Sequence, residues 1–392
     1  MRVKSVRQLK NLKNKTIFLR VDFNVPLKNG RVQDDYRLVA GLETIKFLLA
    51  KKCCLIIATH LGEPKGKFTV AYSVKPVAAR LKTLLGQPVK FLSATVGAKV
   101  QAAVKRMKPG EIVMLENLRF QSAEYDNDAD FAQELAALAD IYVNDAFAVC
   151  HREQASVAAI KKYLPSYAGL LLEKEVKALQ KIQQPKKPLV VIMGGAKIST
   201  KAPLIAKLYA RASHILIGGA LANNFFKFQN KEIGRSLYDQ DSAIYLKQFF
   251  KNKKLAAKII LPEDVIVQTK KGKAELRAPE NVGREEYIYD IGPATISWYA
   301  SYIKAANTLV WNGPLGKFET AGFKQGTLSI ARLVAARSSG PAYGVVGGGE
   351  TVEALQLTKM AEYVDWVSTA GGAMLTYLGG GKMPGLSKII NN

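Results

Sequence analysis

The stretch Leu189–Lys201 reads LVVIMGGAKISTK and joins an apolar segment to two glycines and a lysine. A short apolar run bounded by glycine is typical of a buried strand. Glycine allows the backbone to approach a ligand and to present N–H donors to phosphate. The stretch therefore predicts a strand that leads into a phosphate-binding loop, although GGAK alone is equally typical of a tight turn.

Apolar segments of the same kind recur along the whole chain. The first half alternates TIFLRV, CCLIIAT, EIVML and IYVND with longer amphipathic stretches, and the second half continues with PLVVIM, HILIGG, KIILP, TLVWNG, YGVVGG and VDWVS. Such alternation predicts an α/β fold in which helices cover parallel sheets on both faces. Between the halves, Leu172, Val176 and Leu179 share one face of LLEKEVKALQKI, which predicts a connecting helix.

Length and composition indicate the class of protein. A chain of 392 residues is too long for one ordinary core and predicts two domains. With 48% hydrophobic and 23% charged residues, the composition is that of a soluble globular enzyme. No apolar run reaches the roughly 20 residues that span a bilayer, and the start, MRVKSVRQLKNLKNK, has no apolar signal-peptide core. We therefore expect a cytoplasmic location.

The charge balance favours anionic partners. The chain has 57 Lys and Arg against 32 Asp and Glu, which gives +25. Nucleic acid is one candidate partner, and small phosphorylated metabolites are another. A lysine-rich surface explains most of the excess more simply, because the lysines are spread along the chain without the interleaved aromatic residues of a single-strand binding surface.

The three cysteines predict reduced thiols. Cys53 and Cys54 are adjacent in an apolar segment and Cys150 stands alone, which matches neither a disulfide framework nor metal-ligand spacing. A catalytic thiol at Cys150 beside His151 is disfavoured because no positioned third partner is visible.

Polar clusters follow the predicted strands of the first half: VDFNVP, THLGEP, ENLRF and NDAFAVCHRE. In open α/β sheets, ligands bind beyond the carboxyl ends of the strands. A single arginine there is more typical of a surface ion pair, but several at successive strand ends favour a site for a small polyanion, since guanidinium groups bind carboxylate and phosphate oxygens in pairs. The candidate residues are Asp22, Asn24, Arg37, His60, Arg119 and Arg152.

The second half has glycines at the corresponding places. These are Gly194 and Gly195 with Ala196 before Lys197, then Gly218 and Gly219, the stretch NGPLGKFE, Gly347–Gly349 before Glu350, and Gly371 with Gly372. Neither G-x-x-x-x-G-K-[ST] nor a G-x-G-x-x-G after the first strand of either half is present, which argues against a Walker site and a standard dinucleotide fold.

Together these motifs resemble the phosphoglycerate kinase family. RVDFNVP, HLG, ENLRF, NDAF followed by HR, AGLLLEKE, GGAK, WNGPLGKFE, GGGET and STAGGA stand in the family's order over essentially the whole chain. The resemblance implies two similar Rossmann-like domains joined by a hinge helix. Residues 1–168 with 373–392 would bind phosphoglycerate, residues 169–184 would form the hinge helix, and residues 185–372 would bind nucleotide.

The resemblance also implies an activity and its site residues. The activity is reversible phosphoryl transfer between 1,3-bisphosphoglycerate and ADP, giving 3-phosphoglycerate and ATP, with Mg²⁺ held by Glu350. Arg37 and Lys197 would be catalytic. The phosphoglycerate residues would be Asp22, Phe23, Asn24, Arg37, His60, Leu61, Gly62, Glu63, Arg119 and Arg152. The nucleotide residues would be Gly195, Ala196, Lys197, Lys201, Gly218, Gly219, Asn312, Pro314, Glu319, Gly348, Gly349, Glu350 and Thr351.

This chemistry agrees with the few histidines in the chain. The nucleophile in the direction of ATP use is a carboxylate, which is ionised at neutral pH because its pKa lies near 4. No general base is required. Phosphoryl transfer depends mainly on alignment and on neutralising charge, which lysine, arginine, backbone N–H groups and Mg²⁺ provide.

Several residues depart from the family pattern. Glu63 replaces the arginine of HLGRP, and its charge would weaken the anion site unless Lys65 or Lys67 neutralises it. Glu350 replaces the more usual aspartate. Further departures are Thr200 for aspartate, Ala220 and Ala370 for glycine, and Ala294 for lysine. We expect these changes to affect substrate affinity and rate more than reaction type.

Two rival functions remain open at this stage. One is a kinase of other small carboxylates, because the fold does not determine the substrate and Glu63 alters the site. The other is a nucleic-acid-binding protein that has kept the enzyme scaffold, which only the +25 charge supports. The family resemblance suggests a monomer.

Overall fold

A computed structural model describes residues 2–391, which form two compact units. The first unit contains the described chain up to Lys177 and from Lys382 onward, and the second contains Ala178–Gly381. Within residues 2–391, no helix combines the length and apolarity needed to cross a membrane.

The first unit is organised around a parallel sheet of six strands. The sheet order is β6-β7-β5-β2-β8-β9, and every neighbouring pair is parallel. A short antiparallel hairpin, β3–β4, follows the central strand. The strands are β1 (Arg2–Val3), β2 (Thr16–Val21), β3 (Leu27–Lys28), β4 (Arg31–Val32), β5 (Cys54–Ala58), β6 (Lys90–Phe91), β7 (Ile112–Met114), β8 (Ile141–Asp145) and β9 (Ser166–Ala168).

Helices cover this sheet, and the first of them presents an apolar face to its core. Leu38, Ile45 and Leu48 of the first helix pack into the same core as Leu19 and Leu55 of the central strands. Fully burying such a side chain contributes about 1.5–3 kcal/mol. The helices are α1 (Tyr36–Ala50), α2 (Lys75–Leu85), α3 (Ala98–Lys105), α4 (Ser122–Tyr125), α5 (Ala129–Ala136) and α6 (Leu170–Gln183).

The helix α6 corresponds to the predicted connecting helix. Leu172, Val176 and Leu179 are fully buried, as the apolar stripe predicts. The division between the two units falls inside α6, between Lys177 and Ala178. The function of α6 as a hinge stays a prediction.

The second unit has its own six-stranded parallel sheet, in the order β12-β11-β10-β16-β17-β18. A separate antiparallel sheet has the order β14-β13-β15. The strands are β10 (Leu189–Met193), β11 (His214–Ile217), β12 (Ile259–Ile260), β13 (Val265–Gln268), β14 (Ala274–Arg277), β15 (Tyr287–Ile291), β16 (Thr308–Asn312), β17 (Tyr343–Gly347) and β18 (Trp366–Ser368).

Helices again supply the apolar cover of this sheet. Tyr299, Ile303 and Val334 pack with Ile192 and Trp311 of the central strands. The helices are α7 (Ala202–Leu208), α8 (Ala220–Phe228), α9 (Ser242–Lys251), α10 (Lys253–Ala256), α11 (Pro293–Ala305), α12 (Gln325–Ser338), α13 (Gly349–Leu357) and α14 (Gly371–Leu378). The predicted α/β class, with two parallel sheets covered by helices, is confirmed.

The end of the chain returns to the first unit. The last strand, β19 (Ile390–Asn391), pairs antiparallel with β1. Lys161 is buried and its Nζ atom donates to the Ser387 carbonyl oxygen at 3.0 Å and to Ser387 Oγ at 2.7 Å. Asn144 Nδ2 donates to the Gly385 carbonyl oxygen at 3.1 Å. The glycine-rich tail therefore packs on the body of the protein.

Candidate active site

The polar clusters of the first unit meet at one edge of its sheet. The strands β7, β5, β2 and β8 are neighbours and all run in the same direction. Asp22 follows β2, His60 follows β5, Arg119 lies in a 3₁₀ turn after β7, and Arg152 lies beyond β8. Parallel strands bring these positions to their shared carboxyl edge, as the sequence predicts.

Asp22 connects Arg37 to this edge. Arg37 is the second residue of α1, and its Nη1 atom donates to Asp22 Oδ2. The Asp22 side chain is buried, and its Oδ1 atom lies 3.9 Å from His60 Nδ1. Arg37 is partly exposed. Asp22 therefore orients Arg37 while leaving part of its guanidinium accessible to a ligand.

His60 is held in a single protonation state. It is buried, and Arg20 Nη2 lies 3.3 Å from its Nδ1 atom. A guanidinium group can only donate, so Nδ1 accepts and the ring proton lies on Nε2. Burial lowers the pKa of His60 well below its usual value, and the positive charges of Arg20 and Arg119 act in the same direction. The imidazole is therefore neutral and carries a donor at Nε2.

The partner Arg20 is a residue that the sequence analysis missed. It is fully buried in β2, and its Nε atom donates to Ser156 Oγ at 3.0 Å. Ser156 Oγ in turn donates to Glu124 Oε1 at 2.6 Å. A buried guanidinium requires such a network because an unpaired buried charge is strongly destabilising. The available signal was an arginine inside the otherwise apolar run TIFLRV.

Arg119 and Glu63 form the second part of the cluster. Arg119 is 1% exposed, and its Nη1 atom donates to Glu63 Oε1 at 2.7 Å and to the Gly62 carbonyl oxygen at 2.8 Å. Arg152 Nη1 lies 3.4 Å from the same carboxylate oxygen. In the described part of the chain, Arg119 Nε and Nη2 are buried without a hydrogen-bond partner. Two donors thus remain for an anion.

Glu63 is not neutralised by the predicted lysines. Within residues 2–391, neither Lys65 nor Lys67 forms an ion pair with Glu63, and Arg119 and Arg152 do so instead. Glu63 stands where the family pattern has an arginine, and its negative charge is therefore compensated by the arginines of the anion site itself.

Backbone contacts hold the neighbouring loops in place. The Phe23 N–H donates to Thr59 Oγ1 at 2.9 Å, and the Gly62 N–H donates to Asn24 Oδ1 at 2.9 Å. Asn117, another residue missed from sequence, bridges the next pair of loops. Its Oδ1 atom accepts from the Leu61 and Arg119 N–H groups at 3.2 and 3.0 Å. These bonds fix the strand-end loops relative to one another.

The glycine-rich loops of the second unit also meet at one sheet edge. The Gly195 N–H donates to the Pro314 carbonyl oxygen at 3.0 Å, and the Gly218 N–H donates to the Met193 carbonyl oxygen at 2.9 Å. A Cβ atom on Gly194 would lie 2.0 Å from the Pro314 oxygen, so this close approach requires glycine. Gly219 bonds to the same loop through the Leu315 carbonyl oxygen at 2.9 Å.

Asn312 joins these loops to the glycines after β17. Its Nδ2 atom donates to the Gly347 carbonyl oxygen at 2.6 Å, and its Oδ1 atom accepts from Lys201 Nζ. A Cβ atom on Gly348, where φ is +106°, would lie 2.9 Å from Asn312 Nδ2. The Gly313 N–H donates to Thr351 Oγ1 at 2.7 Å. The predicted residues Lys201, Asn312, Gly348 and Thr351 are therefore neighbours.

The two lysines of this cluster differ in environment. Lys201 is buried, whereas Lys197 is exposed on the loop. Burial lowers the pKa of Lys201 to about 8, and the carboxylate of Glu350 acts in the opposite direction. Lys201 is thus held by the protein, while the Lys197 side chain extends into solvent.

Two contacts of the Lys197 loop were not predicted. Ser199 Oγ donates to Asp239 Oδ2 at 3.0 Å, and Asn224 Nδ2 donates to the Ala196 carbonyl oxygen at 3.4 Å. They anchor residues 196–199 from a segment distant in sequence. Glu319, in contrast, is exposed, and no hydrogen bond or ion pair joins it to the other predicted nucleotide residues within the described chain.

Glu350 is the candidate metal ligand. It is exposed in the first turn of α13. No cluster of three or more His, Cys, Asp or Glu side chains suited to a metal occurs in residues 2–391. Mg²⁺ commonly takes one or two carboxylates together with phosphate oxygens and waters. A single accessible carboxylate beside the loops fits a magnesium ion that arrives with a nucleotide.

The remaining departures are accommodated locally. Thr200 Oγ1 donates to the Lys197 carbonyl oxygen at 2.9 Å. Ala220 and Ala294 lie in the first turns of α8 and α11, and Ala370 has φ of −119°, which any residue adopts. Their effect on substrate affinity stays a prediction.

Comparison with known proteins agrees with this arrangement. Residues 6–381 match the family described as "PGK: Phosphoglycerate kinase". The chain is 42% identical to the "Phosphoglycerate kinase" of Thermomicrobium roseum over 99% of both chains, and 42% identical to that of Fervidobacterium nodosum over 97% and 96%. It is similar in structure to the enzyme from Coxiella burnetii, with a TM-score of 0.85, 38% identity and 99% of both chains covered. For the enzyme from Pyrococcus horikoshii, the TM-score is 0.84, with 30% identity and 98% of both chains covered.

Proposed function

Because this chain belongs to the phosphoglycerate kinase family, we propose that it transfers a phosphoryl group reversibly between 1,3-bisphosphoglycerate and ADP, giving 3-phosphoglycerate and ATP. The buried Arg119, whose Nε and Nη2 atoms have no hydrogen-bond partner among residues 2–391, supports an anion site most directly. Arg37, His60 and Arg152 lie at the same sheet edge. Such a set of donors suits a small acid that carries both phosphate and carboxylate.

The step needs no protein base. In the direction of ATP use, a carboxylate oxygen of 3-phosphoglycerate attacks the γ-phosphorus and forms a P–O bond. The bond from that phosphorus to the bridging oxygen breaks, and ADP leaves with the electron pair. No proton moves, because the carboxylate has a pKa near 4 and is already ionised.

The residues of this chain have two tasks in that step. Arg119, Arg152 and His60 hold the acid, while Arg37 and Lys197 neutralise charge on the transferring group. Lys201 and the glycine loops hold the nucleotide phosphates. Glu350 would hold Mg²⁺, which neutralises phosphate charge when it is bound. We further propose a cytoplasmic monomer.

Trapping the product tests the reaction class. Purified protein with ATP, Mg²⁺ and 3-phosphoglycerate should generate an acyl phosphate, which hydroxylamine converts to a hydroxamate that can be measured by colour. Glycerate, which lacks the phosphate, should give less than about 1% of that rate because the arginine cluster loses its main partner. Equal rates from both acids would instead favour a kinase of other small carboxylates.

Domain closure is a further expectation. The proposed phosphoglycerate and nucleotide residues belong to different compact units, whereas in-line transfer needs reacting atoms roughly 3 to 3.5 Å apart. Closure also excludes water, which would hydrolyse the acyl phosphate. We propose that the segment from Leu170 to Pro185 serves as the hinge.

Small-angle X-ray scattering measures this closure. The radius of gyration should fall when 3-phosphoglycerate and a non-hydrolysable ATP analogue with Mg²⁺ are both present. Either ligand alone should produce a smaller change. An unchanged radius with both sites saturated would contradict the closure mechanism.

The lowered pKa of Lys201 predicts that nucleotide binding depends on pH. Its pKa is lowered to about 8 by burial, so its ammonium group loses its charge as the pH rises through that value. ADP phosphates are already fully ionised there, since their last pKa is near 6. The affinity for ADP should therefore fall above pH 8, by at most about tenfold per pH unit for one proton.

Calorimetric titration of ADP between about pH 7 and pH 9.5 checks this expectation. A Lys201→Gln variant should bind more weakly at pH 7 and lose the dependence. A wild-type affinity that stays constant over this range would show that Lys201 does not carry the charge that binds phosphate.

A further inference from the structure

Glu63 has the contacts that a bound anion would make. Its Oε1 atom accepts from Arg119 Nη1 at 2.7 Å and lies 3.4 Å from Arg152 Nη1. Its Oε2 atom accepts from the Tyr125 hydroxyl at 3.2 Å. The carboxylate thus bridges both arginines, and each of its oxygens has a donor.

Arg119, the buried partner of Glu63, is held in place by further contacts. The Arg119 side chain is 2% exposed, and the Gly62 carbonyl oxygen accepts a second bond from it. Arg119 also lies with its guanidinium carbon 5.6 Å from the centre of the Tyr125 ring. The arginine is therefore fixed by its surroundings, with Glu63 as only one of several contacts.

Glu63 itself is much more exposed. Its side chain is 49% accessible, and that of Arg152 is 42% accessible. Glu63 lies in the loop after β5, and the preceding Gly62 has φ of +60°. Its carboxylate can therefore turn into water when another anion takes its place beside the buried Arg119 guanidinium, which would otherwise lose its charged partner. The arginine stays in place while the carboxylate is exchangeable.

We propose that Glu63 is an internal anion that occupies the arginine cluster in the free protein, and that substrate must displace it from Arg119 and Arg152. This inference rests on the proposed function. A phosphate group with two negative charges is attracted to the two arginines more strongly than the singly charged Glu63 carboxylate. An anion with one charge has no such advantage over Glu63. Glu63 therefore lowers the affinity for every anion and restricts binding to doubly charged groups.

The isosteric substitution Glu63→Gln tests the inference. It removes the competing charge and keeps the side-chain shape. The KM for 3-phosphoglycerate should fall roughly fivefold, since a partly exposed charge pair is being removed. The change should lie in KM rather than in kcat, because Glu63 competes for ground-state binding. Nitrate, a singly charged anion, should inhibit Glu63→Gln at lower concentrations than it inhibits the wild type.

A matched control separates local competition from net charge. Glu134 is exposed on α5 in the same unit and forms no ion pair among the described residues. Glu134→Gln changes the net charge equally and should leave the KM unchanged. Thermal melting of each variant verifies folding, and Glu63→Ala provides a second variant that should shift KM in the same direction.

Binding of inorganic phosphate distinguishes failure of this inference from failure of the proposed function. Calorimetry should show tighter phosphate binding to Glu63→Gln than to the wild type, whether or not 3-phosphoglycerate is a substrate. A wild type without turnover would overturn the proposed function alone. Unchanged or weaker phosphate binding by both Glu63 variants, or an unchanged or raised KM, would overturn the displacement of Glu63.

Discussion

Replacing Lys197 with methionine should lower kcat by roughly 10²- to 10³-fold, the loss that follows removal of one group that stabilises transition-state charge. Lys197 is exposed on the loop after β10, so its charge is available to a ligand. The neighbouring Lys201 is instead buried and bonded to Asn312. The KM for ATP should change much less than kcat, because the interaction strengthens as charge develops on the transferring group.

A loss of folding is not expected in this variant. Methionine keeps the aliphatic length, and the Ser199–Asp239 contact that anchors the loop does not involve the Lys197 side chain. The control is Lys227→Met, at an exposed lysine of α8 in the same unit. Steady-state rates of both variants test the catalytic role of Lys197, and their melting temperatures verify that both are folded. A Lys197→Met protein that keeps most of its kcat would remove Lys197 from the catalytic residues.

The second large effect is expected for Arg37→Ala. Arg37 is oriented by Asp22, and its guanidinium is partly exposed and so accessible to a ligand. Loss of its planar pair of donors should reduce kcat/KM by about 10²- to 10³-fold. Arg37→Lys keeps the positive charge but not the planar pair of donors, and it should recover only part of the activity.

Stability must be measured separately for Arg37→Ala. The Asp22 carboxylate is buried, and removing Arg37 leaves it with the Asn24 N–H, which donates to its Oδ1 atom at 3.4 Å. A cost of about 1–3 kcal/mol in the free energy of unfolding is expected. Arg31→Ala, at an exposed arginine in β4, is the matched control. A kcat/KM within a few fold of wild type in folded Arg37→Ala would contradict the assignment.

Most of the fold could be predicted from the sequence because its parallel strands have distinct apolar segments. Parallel strands buried on both faces read as continuous apolar runs, as in LVVIM and CLIIA, whose residues are all buried. The antiparallel sheet of β13, β14 and β15 was not predicted. Its strands are short and alternate more and less buried residues, as in VIVQ and AELR, so they lack the continuous apolar runs of the parallel strands.

The candidate site was predictable where it depends on strand order. Parallel strands place their carboxyl ends at one edge, so Asp22, His60 and Arg119 meet without further information. The contacts behind that edge depend on side-chain conformations and on segments distant in sequence. The spacing of HLGEP does not show that Glu63 turns toward Arg119, nor does it reveal that Ser156 and Glu124 support Arg20.

The most direct test of the proposed function couples the enzyme to NADH oxidation. Wild-type protein, ATP, Mg²⁺ and 3-phosphoglycerate are combined with glyceraldehyde-3-phosphate dehydrogenase, which reduces 1,3-bisphosphoglycerate. We predict turnover of about 1–10³ s⁻¹, the range typical of enzymes, and none without 3-phosphoglycerate. Folded protein that binds ADP but oxidises no NADH would contradict the assignment of this chain as an active phosphoglycerate kinase.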